Sequence, residues 1–586
     1  MPSPAVAPWL QRAPPWAPTS LVSPRKRKAE GISEAEEALG KLASATGKTL
    51  RRLGWADTVR SMRGGSNITS NVASIPHKAA RVVDYLRRRG APVPTTTGPW
   101  TRQRCDEALE RGPHKSSHGE REFVAAEMLD FSRQGYWLVL PYHEVRDLPG
   151  LRISPLGVVP QRDRRPRLIV DYTFSNVNEE TVPLAPREAM QFGKALQRVI
   201  AKIVGADARY GSVHMAKIDI ADGFYRIWVR TEDVPKLGVA LPQVPGQPPL
   251  VAFPLALPMG WVDSPPYLTT LTETICDLSN AKLAQPAYQG APHRLEATAA
   301  TGTLPHINRS QRRPPNVLTR TRPVASVDIY VDDFILLAQT QHHQRRVMRS
   351  ALHSIDEVFR PLELGDPPHR KEPSSVKKMM QGDAAWSPHK RLLGWDFDTE
   401  AMTLNLPPHR LDRLREVLTW IQPPRKRLPT AKWHQLLGEL RSMSPALPGT
   451  RGLFSTLQDA LSKGDRRRVR LNQHVHATAA DFSLLVDSLA SRPTRLYELV
   501  PRAPVAIGSC DACQRGMGGV WLFPDSRAPV VWRSLCTCGL QLLDHRHSQD
   551  RSRLHFGLGI GRNYRSQNRC HRMRRRPRTN LVDCQR

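Results

Sequence analysis

The stretch Val327-Asp328-Ile329-Tyr330-Val331-Asp332-Asp333-Phe334-Ile335-Leu336-Leu337 places two adjacent aspartates between two short apolar runs. Apolar, β-favouring residues on both sides of a polar pair are typical of two strands joined by a tight turn. We therefore expect a hairpin with Asp332 and Asp333 at its tip. Two carboxylates this close repel each other, which raises the pKa of one of them. An exposed acidic turn is the alternative, because Asp is a common turn residue.

A third carboxylate follows an earlier apolar run. His214-Met215-Ala216-Lys217-Ile218-Asp219-Ile220 predicts a strand that ends at Asp219. If this strand neighbours the hairpin, the three carboxylates converge, and oxygen ligands of this kind suit Mg²⁺. Paired metal ions are the catalytic device of polymerases and nucleases. A strand-end Asp can instead cap a helix, and Asp222 fits that role better than Asp219.

Composition favours a nucleic-acid partner. The 586 residues include 86 Lys plus Arg against 54 Asp plus Glu, a net charge of +32, with a pI near 10.5. The electrostatic field of so basic a protein attracts a polyphosphate such as nucleic acid and makes the affinity for it depend on salt concentration. No apolar run is long enough to span a membrane, no secretory signal is visible, and eight cysteines in so long a chain do not indicate a disulfide framework.

These features predict an intracellular protein, nuclear or cytoplasmic, without a membrane partner. Pro24-Arg25-Lys26-Arg27-Lys28 fits a nuclear-import signal, a phosphate-binding arm or a solvated basic run.

Five segments occur in an order that resembles reverse transcriptases of retroelements. They are Arg165–Tyr172, Asp219 to Phe224, Leu257–Pro265, Tyr330–Asp333 and Leu392–Phe397. The match runs from about Gly135 to about Leu461. The resemblance implies an α+β, right-hand polymerase fold within a reverse transcriptase domain at 76–460. Its expected parts are fingers at 135–210, palm at 211–400 and a helical thumb at 405–462.

The resemblance also implies an activity, that of a retrotransposon RNA-directed DNA polymerase. It would act on an RNA template, a DNA primer-template and deoxynucleoside triphosphates, with two Mg²⁺ ions or Mn²⁺ in their place. Asp219 and Asp332 would be the principal metal ligands, Asp333 would complete the acidic cluster, and Ile220 would also be a metal-binding residue. The oligomeric state stays open.

Four residues fall at nucleotide-binding positions of that family. Phe224 would be an aromatic gate that excludes a ribose 2′-hydroxyl, although a core aromatic would suit the position too. Met259 and Gly260 would lie near the incoming nucleotide, since Gly lets a backbone approach closely. Arg167 would contact the triphosphate, as a guanidinium suits phosphate, unless it is one more solvated charge.

Two further sites follow from the resemblance. Leu393, Gly394 and Trp395 would form the primer grip. The family often keeps a lysine near the pyrophosphate, and either Lys377 or Lys378 fits that description.

The regions outside the match are expected to be less regular. Residues 1–75 are rich in Pro, Ser, Arg and Gly, which predicts a largely disordered basic segment with one helix-like stretch from Ser33 to Ala45. Ala281 to Pro323 is long and rich in Pro, Arg and Thr, so we expect an insertion. Helical patterns cover 408–420, 430–441 and 450–461, and residues 463–500 are expected to be a connection.

The C-terminal part resembles the first strands of a ribonuclease H domain at 501–533, in which Asp511 would be the first metal carboxylate. No Glu follows Glu498, and residues 534–586 become a basic tail. We therefore expect a truncated, vestigial segment without ribonuclease H activity. The cysteine and histidine spacings near Cys510 fit no standard zinc site. A catalytically inactive remnant that only binds nucleic acid is the alternative function.

Overall fold

The computed structural model describes residues 32–161, 164–299, 321–444, 450–464, 467–500, 507–513, 516–522 and 529–535. Its architecture is mixed α+β. The helices are α1 Glu34–Leu53, α2 Trp55–Arg63, α3 Ala80–Arg89, α4 Arg102–Arg111, α5 Lys115–His118, α6 Arg121–Arg133, α7 Tyr142–Val145, α8 Val177–Glu180, α9 Ala195–Val204, α10 Ser264–Ala284, α11 Gln341–Val358, α12 Val376–Met380, α13 Pro408–Thr419, α14 Thr430–Met443, α15 Arg451–Ser462 and α16 Gln473–Ser491. Short 3₁₀ helices include Gly223–Arg226.

The strands form five sheets. In chain order they are β1 Trp137–Pro141, β2 Ile153–Gln161, β3 Arg164–Val170, β4 His214–Asp219, β5 Gly238–Ala240, β6 Leu250–Pro254, β7 Ala325–Tyr330, β8 Asp333–Ala338, β9 His389–Leu392, β10 Trp395–Asp398, β11 Thr403–Asn405, β12 Arg427–Pro429, β13 Arg468–Arg470, β14 Thr494–Arg495, β15 Ile507–Cys513, β16 Gly516–Leu522 and β17 Val530–Leu535. Their orders are β1-β6-β5-β2-β3, β4-β8-β7, β14-β11-β10-β9, β12-β13 and β15-β16-β17.

The β4-β8-β7 sheet lies between two hydrophobic cores. Side chains alternate along each strand, so Phe334 and Leu336 of β8 enter one core, while Ile335 and Leu337 enter the other. All four are fully buried. A sheet packed on both faces reads as a continuous apolar run, as this one does in the sequence. The strand ends that carry the acidic residues are fixed by this double packing.

The segment 32–75 is folded, which corrects the prediction of disorder for its described part. The amphipathic helix α1 begins at a capping box formed by Ser33 and Glu36. It buries Leu39, Ala43 and Leu50 in the same core as the five-stranded sheet. Composition alone suggested disorder for this segment, because an amphipathic helix is stabilised chiefly by the surface on which its apolar face packs, and that surface lies elsewhere in the chain.

The helices after residue 400 surround the second core, and residues 463–500 belong to it. Phe482 and Val486 of α16 are fully buried there. Strand β14 pairs with β11 in the four-stranded sheet. The expected separate connection is therefore integrated with the helices that precede it, since α16 supplies the apolar face that closes their core.

The expected insertion at 281–323 is partly structured. Helix α10 continues to Ala284, and Arg346 of α11 donates to the carbonyl oxygens of Leu283 and Tyr288. Arg294 forms ion pairs with Asp356 and Glu372. Residues 285–299 thus pack against α11, and residues 300–320 lie outside the described ranges.

The C-terminal strands β15, β16 and β17 form an antiparallel sheet in chain order. Asp511 is exposed on β15, opposite Gly518. The two strands expected from the sequence are present, and the tail after residue 535 lies outside the described ranges, as does Pro24–Lys28. Within the described part of the chain, no helix has the length and apolar character needed to cross a membrane.

Candidate active site

The three carboxylates meet at one end of the β4-β8-β7 sheet. Antiparallel pairing sets Asp219, the last residue of β4, directly opposite Asp333, the first residue of β8. The partner of Asp333 on β7 is Tyr330, which leaves Val331 and Asp332 as a two-residue turn. The predicted hairpin is confirmed, but its turn lies one residue earlier than expected, because Asp333 already belongs to β8 and pairs with Tyr330. Strand pairing brings the third carboxylate to the same edge.

The turn itself is strained. Val331 has φ of 60°, a conformation that is an outlier for a β-branched residue. Two contacts hold it there: the buried Thr272 hydroxyl donates to the Val331 carbonyl at 2.7 Å, and the Ile220 amide donates to the Asp332 carbonyl at 3.2 Å. Strain of this kind persists where the surroundings over-determine the backbone, and it clusters at functional sites.

One carboxylate oxygen from each of Asp219, Asp332 and Asp333 lies within 4.8 Å of the others. Asp219 is 7% exposed. Burial raises the pKa of Asp219 to about 7, with the Lys378 ammonium opposing and the other two aspartates adding to the rise. Burial and the charge of Asp333 raise the pKa of Asp332. Three oxygen donors that repel one another fit a hard divalent cation such as Mg²⁺.

Lys378, and not Lys377, reaches the acidic cluster. Its Nζ lies 2.7 Å from Asp219 Oδ1. The segment that leads to it is fixed to β4, because the Ser375 amide donates to the Asp219 carbonyl and Ser374 bridges to Ile220. The hydrogen bond to Asp219 raises the pKa of Lys378 although burial opposes the rise. The spacing in the sequence left the two lysines equivalent, and only this pairing distinguishes them.

The turn after Asp219 packs against the acidic hairpin. A Cβ built on Gly223 would lie 3.7 Å from Asp332 Cβ, and Phe224 follows it, half-buried against the core. Asp222 occupies the N-cap position of this 3₁₀ helix, but its side chain does not cap the helix. It instead accepts from Tyr136 Oη at 3.1 Å and pairs with Lys371 Nζ at 2.6 Å.

Arg167 and Met259 line one cavity of about 260 Å³. Arg167 is exposed on β3, opposite Val159 of β2. Its positive charge lowers the pKa of Asp332, although not enough to offset burial. Arg167 therefore lies close enough to Asp332 to affect its charge, while its expected contact with a triphosphate stays a prediction.

Gly260 makes a close approach, but to protein. It has φ of 105°, and a Cβ built there would lie 2.4 Å from the Val170 carbonyl oxygen. Asn178 adds a brace, since its Nδ2 donates to the Gly260 carbonyl at 3.0 Å and its Oδ1 accepts from the Val262 amide at 2.9 Å. The glycine is required to lock this loop onto the end of β3.

The expected primer-grip residues form the tip of a second hairpin. Leu393 and Gly394 are the two residues between β9 and β10, with φ of 54° and 78°. Arg410 Nη1 donates to the Gly394 carbonyl at 2.8 Å, and its guanidinium carbon lies 5.6 Å from the centre of the buried Trp395 ring. Arg410 links this tip to α13.

Three supporting residues escaped the sequence analysis: Thr272, Asn178 and Arg410. Each acts through a contact between residues far apart in the chain, 59, 82 and 16 positions away respectively. A threonine inside a helix, an asparagine after a turn and an arginine in a basic helix carry no local signal of these roles. Only the tertiary structure reveals them.

Comparison with known proteins gives weak similarity. No protein-family model and no curated protein matches the chain. Among solved structures, the foamy viral protease-reverse transcriptase in complex with an RNA/DNA hybrid is similar at 12% identity and a TM-score of 0.40, over 89% of this chain and 54% of that one. This chain thus spans about half the length of that protein. A dRH form with double-stranded DNA gives 11% identity and the same TM-score of 0.40, over 88% of this chain and 70% of that one. At these values the likeness carries no argument about function, which rests on the site itself.

Proposed function

We propose that this chain is an RNA-directed DNA polymerase of a retroelement, which adds deoxynucleotides to a primer 3′ end. The observation that carries the proposal is the convergence of Asp219, Asp332 and Asp333 within 4.8 Å at a strained hairpin tip. An ordinary acidic turn has no need of a third carboxylate from another strand. Nor does it need a turn held in an unfavourable conformation from outside.

The three aspartates are the proposed ligands of two Mg²⁺ ions, with the backbone of Ile220 beside them. When bound, such a metal pair lowers the pKa of the primer 3′-hydroxyl and stabilises the leaving oxygen. The protein's contribution is position: the register of β4 with β8 sets Asp219 against Asp333. The hydrogen bond from Thr272 to the Val331 carbonyl holds the turn that carries Asp332.

The residues around the cluster are proposed to bind the nucleotide. Arg167 offers a guanidinium to the triphosphate. Phe224, beside the acidic hairpin, is the proposed gate under the sugar. Lys378 balances the charge of Asp219 in the free protein, and we propose that it turns to the phosphates when cations occupy the carboxylates. Met259 lines the same cavity as Arg167.

The second hairpin is proposed to grip the primer. Leu393 is half-buried at its tip, Gly394 allows the turn, and Trp395 anchors it in the second core. A net charge of +32 suits a template and a primer-template as partners. These assignments correspond to fingers, palm and thumb in the chain order expected from the sequence.

The test is primer extension by the full chain on an RNA template, with Mg²⁺ and four deoxynucleotides. The expected result is extension that disappears in Asp219→Asn while primer-template affinity stays near that of the wild type. Binding without extension in either Mg²⁺ or Mn²⁺ would contradict the proposal and favour a protein that only binds nucleic acid. A DNA template in parallel establishes whether the template must be RNA.

A further inference from the structure

A second, strongly basic cavity lies apart from the acidic cluster. It has a volume of about 70 Å³ and is bordered by the end of α2, the start of β1 and the segment 366–371. Four of its lining residues carry positive charge, namely Arg63, Arg226, Arg370 and Lys371, whereas Asp366 is the only acidic residue among those that line it. About 10–15 Å³ of such space holds one water molecule, so this volume accommodates a four-oxygen anion.

The nearby carboxylates are already engaged. Asp366 pairs with Arg370, at 3.3 Å, and with Arg360. Asp222, just outside the cavity, pairs with Lys371 at 2.6 Å. The acidic groups of this region therefore offset two of the four lining cations.

The other two cations have only neutral acceptors. Arg63 donates to the Thr231 hydroxyl at 3.1 Å and to the Val229 carbonyl at 2.6 Å. Arg226, 4% exposed, donates to the carbonyl oxygens of Ala221 and Glu372. Among the described residues neither guanidinium has a carboxylate within 4.0 Å. Burial lowers the pKa of each to about 10, and the more distant carboxylates, Glu232 near Arg63 and Asp222 and Glu372 near Arg226, offset only part of this effect.

Two guanidinium donors here make no hydrogen bond. The Nε atom of Arg63 is buried without a hydrogen-bond partner in the described part of the chain. The Nε atom of Arg370 makes no hydrogen bond either, although it lies 3.3 Å from Asp366 Oδ2. The loop Gly64-Gly65 that closes one side has no side chains to supply acceptors, and Gly64 has φ of 66°. A buried polar group without a partner costs free energy, and an anion with several oxygens would supply what is missing.

We propose that this cavity binds a phosphate-sized oxyanion, held by Arg63, Arg226 and Arg370. The anion is a free phosphate or a phosphate group of a bound nucleic acid, which share the same chemistry. The site is separate from the proposed polymerase centre, and its occupation does not depend on catalysis.

The first arm of the test is titration of the full chain with inorganic phosphate at constant ionic strength, followed by calorimetry and by the melting temperature. Wild-type protein is expected to show saturable phosphate binding. The Arg63→Gln variant is expected to bind phosphate at least about tenfold more weakly, because one charged hydrogen-bond donor is lost. Arg60→Gln is the matched control. Arg60 lies one turn earlier on α2, is 78% exposed and pairs with Asp57, so this variant should bind phosphate as the wild type does.

The second arm identifies the source of the phosphate. If it belongs to nucleic acid, Arg63→Gln lowers the magnitude of the slope of log affinity for a primer-template against log salt by about 0.7–0.9, the contribution of one phosphate contact. If the cavity binds free phosphate, Arg63→Gln leaves the salt slope unchanged and weakens only the binding of inorganic phosphate. Arg370→Gln repeats both arms should Arg63→Gln melt below the assay temperature. Two results would overturn the proposal. One is the absence of saturable phosphate binding together with an unchanged salt slope in Arg63→Gln. The other is equal phosphate binding by the wild type, Arg63→Gln and Arg370→Gln.

Discussion

The β7–β8 and β9–β10 hairpins both have two-residue turns, but the residues at left-handed positions in these turns differ. The β9–β10 tip has Leu393 and Gly394 at positive φ, as the tight two-residue turn that suits strand twist requires, and the glycine fits it. The β7–β8 tip places Val331 at φ of 60°, where a tight turn normally has glycine. The first turn thus has a glycine at one of its two left-handed positions, whereas the second has a β-branched residue and no glycine.

The difference shows which of the two turns has the more strained backbone. The β7–β8 tip depends on Thr272 and on the Ile220 amide, which hold the carbonyl groups of Val331 and Asp332 from outside. The β9–β10 tip has one such contact, from Arg410 Nη1 to the Gly394 carbonyl, and a glycine that accepts the left-handed conformation without strain. The hairpin that carries the carboxylates has two contacts from distant parts of the chain and no glycine.

The largest expected effect contrasts an aspartate from each hairpin. Asp332→Asn removes a ligand charge and should lower primer extension by about 10³-fold or more. Asp396 on β10 pairs with Arg391 at 2.6 Å, and its loss as Asp396→Asn should change activity by less than about threefold, because exposed ion pairs contribute little. Steady-state extension rates measure both, and comparable losses would contradict the assignment.

The next effect concerns the β9–β10 tip. In Gly394→Ala the new methyl would lie 2.5 Å from Arg410 Nη1, so the guanidinium must move and lose its bond to the Gly394 carbonyl. We expect a loss of about 2–4 kcal/mol in the free energy of unfolding, from the positive φ and the lost charged hydrogen bond. Gly246→Ala, with φ of 73° and open space, should lose only about 1–2 kcal/mol. Denaturant unfolding compares the two, and equal losses would exclude a role for Arg410.

A smaller effect tests the external hold on the β7–β8 tip. Thr272→Val removes the donor to the Val331 carbonyl and should lower stability by about 1–2 kcal/mol. Activity should fall about tenfold, because the carboxylates shift. Thr270→Val is the control, since the equally buried Thr270 hydroxyl bonds within its own helix to Pro266. Calorimetry gives the stability of both variants and primer extension gives their activity. Unchanged activity in Thr272→Val would show that the turn keeps its conformation without this hydrogen bond.

The smallest effect measures the strain directly. Val331→Gly relieves about 1–2 kcal/mol of backbone strain and adds about 0.5–1 kcal/mol of unfolded-state entropy. The net change in the free energy of unfolding should therefore stay below about 1 kcal/mol. Val327→Gly on the preceding strand β7, where the valine is fully buried, should cost about 3 kcal/mol or more. Similar costs for both would mean that Val331 is not strained.

Features that depend on interactions between neighbouring residues could be predicted from the sequence, whereas features that depend on contacts between distant residues could not. The β7–β8 hairpin and the strand ending at Asp219 came from local periodicity, as did the helix over Pro408–Thr419. Lys378 could not be separated from Lys377, because its pairing with Asp219 depends on how 374–375 meets β4. The helical pattern from Ser33 to Ala45 was predicted, but the continuation of α1 to Leu53 and its packing on the five-stranded sheet were not, because its apolar face can be recognised only beside the surface that it covers.

Binding of Mn²⁺ tests the central claim most directly, because the ion is paramagnetic and its free fraction can be followed by electron paramagnetic resonance. We predict that the full chain with primer-template and an incoming nucleotide binds two Mn²⁺ ions. Asp332→Asn should lose this binding, and Asp396→Asn should keep it. Equal Mn²⁺ binding by the wild type and Asp332→Asn would contradict the account, because the carboxylates at the strained tip would then not be metal ligands.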